Sequence, residues 1–160
     1  MKQLALVIAS ILMLAGCATP GSVEISNTWV KSGDMSVQGG MSAVYGTITN
    51  NTDKDVTLIG GTTSVAGLVE VHEMAMIDGQ MQMQAIEGGL VIPAGQSAVL
   101  EPGGNHLMLM MLQSDIVAGQ AISVTFDLEG ADDVTLNDII AKPSEGGDES
   151  YHEGEMDMDK

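Results

Sequence analysis

The chain of 160 residues has no arginine, a single cysteine and few aromatic side chains: one Trp, two Tyr and one Phe. Five lysines face 22 acidic residues, for a formal net charge of −17. A nucleic-acid binder needs a basic footprint that displaces counterions from phosphates. None exists here, so nucleic acid is excluded as a partner. An anionic membrane surface would also repel such a chain, so any hold on a membrane must come from elsewhere. With Cys17 alone, no disulfide framework can form. The apolar run at 4–14 is well short of the roughly 20 residues that a spanning helix needs.

That run has the length of a signal-peptide core, and Lys2 supplies the positive charge before it. It ends in Leu14-Ala15-Gly16-Cys17, which resembles the bacterial lipobox, where cleavage precedes a cysteine that is then lipidated. The alternative is a plain signal peptide with a chance cysteine. Lipidation would explain an unpaired thiol in an exported protein and would anchor the chain without a transmembrane helix. The expected location is a membrane-anchored lipoprotein facing the periplasm or cell envelope. Ala18 after the cysteine slightly favours the outer membrane in a Gram-negative cell. Removing residues 1–16 takes away Lys2 and no acid, which leaves a net charge of −18.

Residues 143–160 are rich in Gly, Ser and acids and contain no apolar run. Such a segment buries too little surface to offset its ordering entropy, so it is expected to be a disordered acidic tail. Its simplest role is solvation. It also carries His152, Met156 and Met158.

After a lipidated Cys17 and a short linker (17–22), residues 23–142 form one domain's worth of chain. Helix signals are scarce. Turn signals recur closely, among them "NNTD", "GGTT", "DGQ", "PAGQ", "PGGN" and "EGADD". Between them lie short segments rich in Val, Ile, Thr and Leu, at 23–31, 43–49, 56–59, 68–77, 81–85, 98–101, 106–112, 121–128 and 134–141. This pattern predicts an all-β sandwich of short antiparallel strands. "DGQ" between two Met-rich runs predicts a hairpin turn.

Side chains alternate along a strand, so residues of equal parity share a face. In "LVEVHEMAMI", His72, Met74 and Met76 lie on one face, opposite Val69 and Val71. In "MQMQ", Met81 and Met83 share a face. In "HLMLMML", His106, Met108 and Met110 lie opposite Leu107, Leu109 and Met111, which are expected to pack the sandwich. Seven of the eleven methionines beyond residue 16 fall between positions 74 and 111.

A methionine stripe by itself is usually core, because Met fills gaps well. The histidines alter that weighing. An imidazole among thioethers has no evident packing role and needs partners when buried. Thioether sulfur with imidazole nitrogen suits Cu(I), a soft ion. The set is poor for Mg²⁺ or Ca²⁺, which take oxygen, and unusual for zinc. Met74, Met76 and Met110 could serve as auxiliary ligands or as an apolar collar. The tail, with His152, Met156 and Met158, could loosely hold Cu(I) or help gather Cu(II).

The segments "VHEMAMIDGQMQMQ", "GGLVIPAGQSAVLEPGGNHLMLM" and "GQAISVTFDLEG", with "TWVK" and "YGTITN" before them, resemble the periplasmic copper chaperone family PCu(A)C. The resemblance spans most of 23–142 in the same order. The family signature is a His, a Met eleven residues on, then His-x-Met after a Gly-rich turn. Here those positions are His72, Met83, His106 and Met108. The resemblance implies a cupredoxin-like (Greek-key) sandwich with a Cu(I) site at the surface end of the strands and those four residues as ligands. It implies copper delivery in the periplasm, usually for the dinuclear copper centre of cytochrome c oxidase. The acceptor would be an oxidase subunit or a thiol-based assembly factor. Two features depart from the family pattern. Many relatives have glycine where this chain has Met111, and many are released by an ordinary signal peptide.

Four functions compete at this level. A copper chaperone would work by ligand exchange rather than catalysis. A copper-scavenging or storage lipoprotein would use the same site without a dedicated acceptor. An enzyme has little support: His72-Glu73 begins like the HExxH zinc-protease motif, but position 76 is Met. A purely structural lipoprotein would use the methionines as core.

Overall fold

The computed structural model describes residues 21–143. Cys17 and most of its linker, and His152, Met156 and Met158 of the tail, lie outside the described residues.

Ten strands follow one another: β1 Val23–Ser32, β2 Met41–Asn50, β3 Val56–Thr62, β4 Ala66–Ile77, β5 Gln80–Ala85, β6 Leu90–Ile92, β7 Ser97–Leu100, β8 His106–Leu112, β9 Ala121–Glu129 and β10 Val134–Pro143. The described residues are all-β. The strands run in the order β5-β4-β8-β2-β1-β10-β9-β3-β6, with β7 also on β2. Almost all pairings are antiparallel; β1 and β10 pair in parallel through Val30–Ser32 and Ala141–Pro143. This is a cupredoxin-like sandwich, with β5, β4, β8, β2, β7 and β1 in the first sheet and β10, β9, β3 and β6 in the second.

The aliphatic core fills the space between the sheets. Its inner positions include Val44, Ile48, Val69, Val71, Leu107 and Leu109 from the first sheet and Leu58, Ile92, Val124 and Phe126 from the second. Burying such a side chain stabilises by about 1.5–3 kcal/mol, so this layer is what commits the chain to the sandwich. β6 is a strand that the sequence did not announce: it has three residues between two turns, too few to show alternation.

β4 and β5 form the hairpin expected at "DGQ". Ile77 pairs with Gln80, and the two loop residues, Asp78 and Gly79, have φ of 52° and 81°. Two left-handed residues in succession mark the type I′ turn that fits the twist of a two-residue hairpin.

Three other non-glycine residues with left-handed φ act in a common way. At Asn27 (φ 54°), β1 shifts phase: Ile25 points into the core before it, and Val30 after it. At Asp138 (φ 61°), β10 shifts from Leu136 to Ile139 and Ala141. At Met111 (φ 52°), β8 shifts from Leu109 to Leu112. An extra residue in the left-handed region re-aims the chain that follows. Asn and Asp tolerate this conformation; Met does so at a cost. The expectation that Met111 packs the sandwich with Leu107 and Leu109 is therefore corrected. Met111 is exposed, because alternation breaks at that residue. A glycine at this position, as in many members of the resembled family, would adopt the conformation without strain.

Candidate metal centre

The outer face of the first sheet carries a second, smaller cluster. Ala43, Tyr45 and Met108 are buried in it, with Trp29, Met41, Met83 and Met110 packed against them. Strand register explains the grouping. Trp29 lies opposite Tyr45, and their rings pack at a 38° tilt with centroids 4.5 Å apart. Ala43 lies opposite Met108, and Met41 opposite Met110. On the other side of β8, His72 lies opposite His106, Glu70 opposite Met108, and Leu68 opposite Met110. One strand further out, Met74 lies opposite Met83 and Met76 opposite Met81. The phase shift at Asn27 brings Trp29 onto this face; with unbroken alternation from Ile25 it would have pointed inward.

The four signature positions come together here. His72 and His106 face each other across two neighbouring strands, with ring centroids 5.9 Å apart. Met83 sits on β5, two strands from β8, and its side chain spans β4 to place Sδ 3.2 Å from His106 Nε2. His106 is 1% exposed, His72 8% and Met108 1%. Met83, Met74 and Met110 are half-buried, and Met76 and Met81 are exposed.

The turn before β8 fixes His106. Glu101 N–H donates to Asn105 O across the turn, and Gly104 O lies 3.0 Å from His106 Nδ1. A carbonyl can only accept, so Nδ1 carries the proton in that contact. In a neutral ring Nε2 then has a lone pair. A thioether sulfur has no proton to offer either. With that ring neutral, Nε2 and Met83 Sδ, 3.2 Å apart, offer two electron pairs that a shared soft cation would satisfy. Among the described residues, no three of His, Cys, Asp and Glu converge on a possible metal position. A metal held in this cluster by three or more side chains would therefore draw on sulfur.

Sequence reasoning singled out His72, Met83, His106, Met108, Met74 and Met110, and all of them lie on the outer face. Met76 shares it but lies toward the hairpin turn with Met81. Missed were Trp29, Tyr45, Ala43 and Met41, which wall the cluster, and Glu70, whose carboxylate lies 3.1 Å from His72. The parity of β2 does put Ala43 and Tyr45 on one face. Only the register with β8 shows that this face meets the histidines.

The thioether and imidazole side chains thus gather on the outer face of a cupredoxin-like sandwich. The family described as "Putative lipoprotein LpqE-like" matches residues 23–139, and the chain belongs to this branch of the PCuAC family. It is 36% identical over 157 residues to the "Putative lipoprotein Lxx21020" of Leifsonia xyli subsp. xyli (strain CTCB07), covering 91% of this chain and 92% of that protein. Among solved structures, it is similar to the copper-bound PCuAC domain from PmoF2, with a TM-score of 0.60 and 21% identity, covering 79% of this chain and 97% of that one. It is also similar to the solution structure of CuI-DR1885 from Deinococcus radiodurans, with a TM-score of 0.52 and 22% identity, covering 74% and 77%. At these identities the solved structures establish the fold.

Proposed function

We propose that this protein is a Cu(I)-binding chaperone of the cell envelope, with His72, Met83, His106 and Met108 as ligands. The observation that carries this reading is the gathering of the four side chains on one face, with Met83 Sδ 3.2 Å from His106 Nε2. The similar folds described as copper-bound and as the Cu(I) form support it. The chemistry is ligand exchange. Thioethers and imidazoles bind Cu(I) more weakly than thiolates, so an acceptor offering thiolates could take the ion downhill. A copper-accepting oxidase subunit or a thiol-based assembly factor for cytochrome c oxidase is such an acceptor. The chain's acidic charge would steer it toward a basic one. A lipid on Cys17 would confine the exchange to the neighbourhood of a membrane, and "lipoprotein" in the family and relative descriptions supports that anchor.

The experiment is anaerobic Cu(I) titration of the soluble chain 18–160 against a colorimetric chelator. One tight site is expected, much weakened in His106→Ala and Met83→Ala with the fold retained. A wild type that cannot compete with the chelator ends the copper reading. A chain shortened at residue 142 should keep the tight site and lose any weaker binding by His152, Met156 and Met158.

The near-complete burial of His106 and Met108 favours a second reading, a copper-scavenging or storage lipoprotein that retains the ion. Rapid transfer to a dithiolate peptide would support the chaperone; retention against it would support storage.

A further inference from the structure

His72 is held differently from His106. Its Nε2 lies 3.1 Å from Glu70 Oε2, two residues earlier on the same face of β4. An ionised carboxylate only accepts hydrogen bonds, so Nε2 is the protonated nitrogen. Nδ1 is then the lone-pair nitrogen of the neutral ring. It is buried, and among the described residues it has no hydrogen-bond partner. A buried polar atom left without a partner forfeits its hydration and calls for an explanation. Glu70 itself is partly exposed, lies across from Met108, and borders the cluster on the side away from Met74.

We infer that Glu70 is a positioning residue that locks His72 as the Nε2–H tautomer, so that His72 presents Nδ1 to the metal while His106 presents Nε2. This rests on the Cu(I) reading above. The two imidazoles thereby bind through opposite ring nitrogens, each set by an acceptor on the far nitrogen: a carboxylate for His72 and a backbone carbonyl for His106. Such outer partners fix ring orientation and raise the basicity of the ligating nitrogen. The different acceptors divide the labour. Gly104 O is part of the backbone and cannot leave. The Glu70 side chain, at the solvent margin, can swing away, so the His72 bond is the more adjustable of the two.

The test uses the full soluble chain with ¹⁵N-labelled histidine. In the metal-free wild type, the ring-nitrogen shifts should show Nε2–H with bare Nδ1 for His72 and the reverse for His106. Adding Cu(I) should move the His72 Nδ1 and His106 Nε2 signals. Glu70→Ala should let His72 sample both tautomers and lower Cu(I) affinity by about 10–100-fold, the usual cost of losing an outer partner. Glu70→Gln keeps an accepting oxygen and should restore both tautomer and affinity to within about threefold. The inference falls if His72 in the wild type carries its proton on Nδ1, or if Glu70→Ala binds Cu(I) like the wild type. It also falls if Glu70→Gln loses as much as Glu70→Ala, since the carboxylate would then act by charge or as a ligand. Failure of the wild type to bind Cu(I) would instead overturn the copper reading, and the metal-free tautomer pattern would still decide the role of Glu70.

Discussion

The two faces of β8 are equally buried and chemically opposite. Leu107 and Leu109 pack the aliphatic core between the sheets, while His106 and Met108 pack the outer cluster with Ala43 and Tyr45. All four side chains are within 1% of full burial. Burial therefore does not tell the two regions apart; the lone pairs do. The inner layer holds branched hydrocarbons whose only contribution is contact and exclusion of water. The outer layer holds imidazole and thioether side chains, with Met83 Sδ 3.2 Å from His106 Nε2. A strand of seven residues thus serves both stability and binding, with parity keeping the two separate.

This contrast can be broken from either side. The largest effect is expected from Leu109→Ala, which should cost about 2–5 kcal/mol in urea unfolding while leaving Cu(I) stoichiometry unchanged in the fraction that remains folded. The mirror experiment is Met108→Leu. Its volume is nearly conserved, so stability should change by less than about 1.5 kcal/mol, while Cu(I) affinity should fall by at least about tenfold, since even outer partners of a metal cost that much. If Met108→Leu unfolds the protein, or binds Cu(I) normally, the two faces do not divide as described.

A smaller effect is expected where the alternation ends. Met111 is left-handed and exposed, so Met111→Gly removes strain of about 1–2 kcal/mol and adds unfolded-state entropy of about 0.4–1 kcal/mol. The net expectation is a gain of up to about 1.6 kcal/mol by thermal melting, with Cu(I) binding unaltered. The smallest effect lies in the second sheet. Desolvation by burial, then the neighbouring Asp133, raises the Asp127 pKa above its ordinary value. The folded chain therefore holds that proton more tightly than the unfolded chain. Ionised Asp127 costs stability at neutral pH, and this cost disappears as the pH falls through the raised value toward the ordinary carboxylate range. Asp127→Asn should thus stabilise at neutral pH by less than about 0.5 kcal/mol, as at most exposed positions, and the gain should fade in acid.

Much of this arrangement was legible from residue order. Parity alone separated His72 and Met74 from Val69 and Val71, and His106 and Met108 from Leu107 and Leu109. It failed where a residue takes a left-handed φ, because one such residue exchanges the faces of everything after it. Met111 was misassigned for that reason. The same device at Asn27 hid the fact that Trp29 joins the outer cluster while Val30 joins the core. Nor could residue order supply register: that Glu70 sits across from Met108, or that Met83 reaches over β4 to His106, depends on pairings between strands distant in sequence.

The position of Met83 has a kinetic meaning. His72, on β4, and His106 and Met108, on β8, belong to strands flanked on both sides, whereas Met83 belongs to β5, the marginal strand of its sheet. Edge elements open with less free energy than central ones. Fraying of the edge strand β5 alone would withdraw the Met83 sulfur while β4 and β8 keep both imidazoles in place. On the Cu(I) reading, the grip on the ion would then loosen one ligand at a time, with the domain behind it remaining closed.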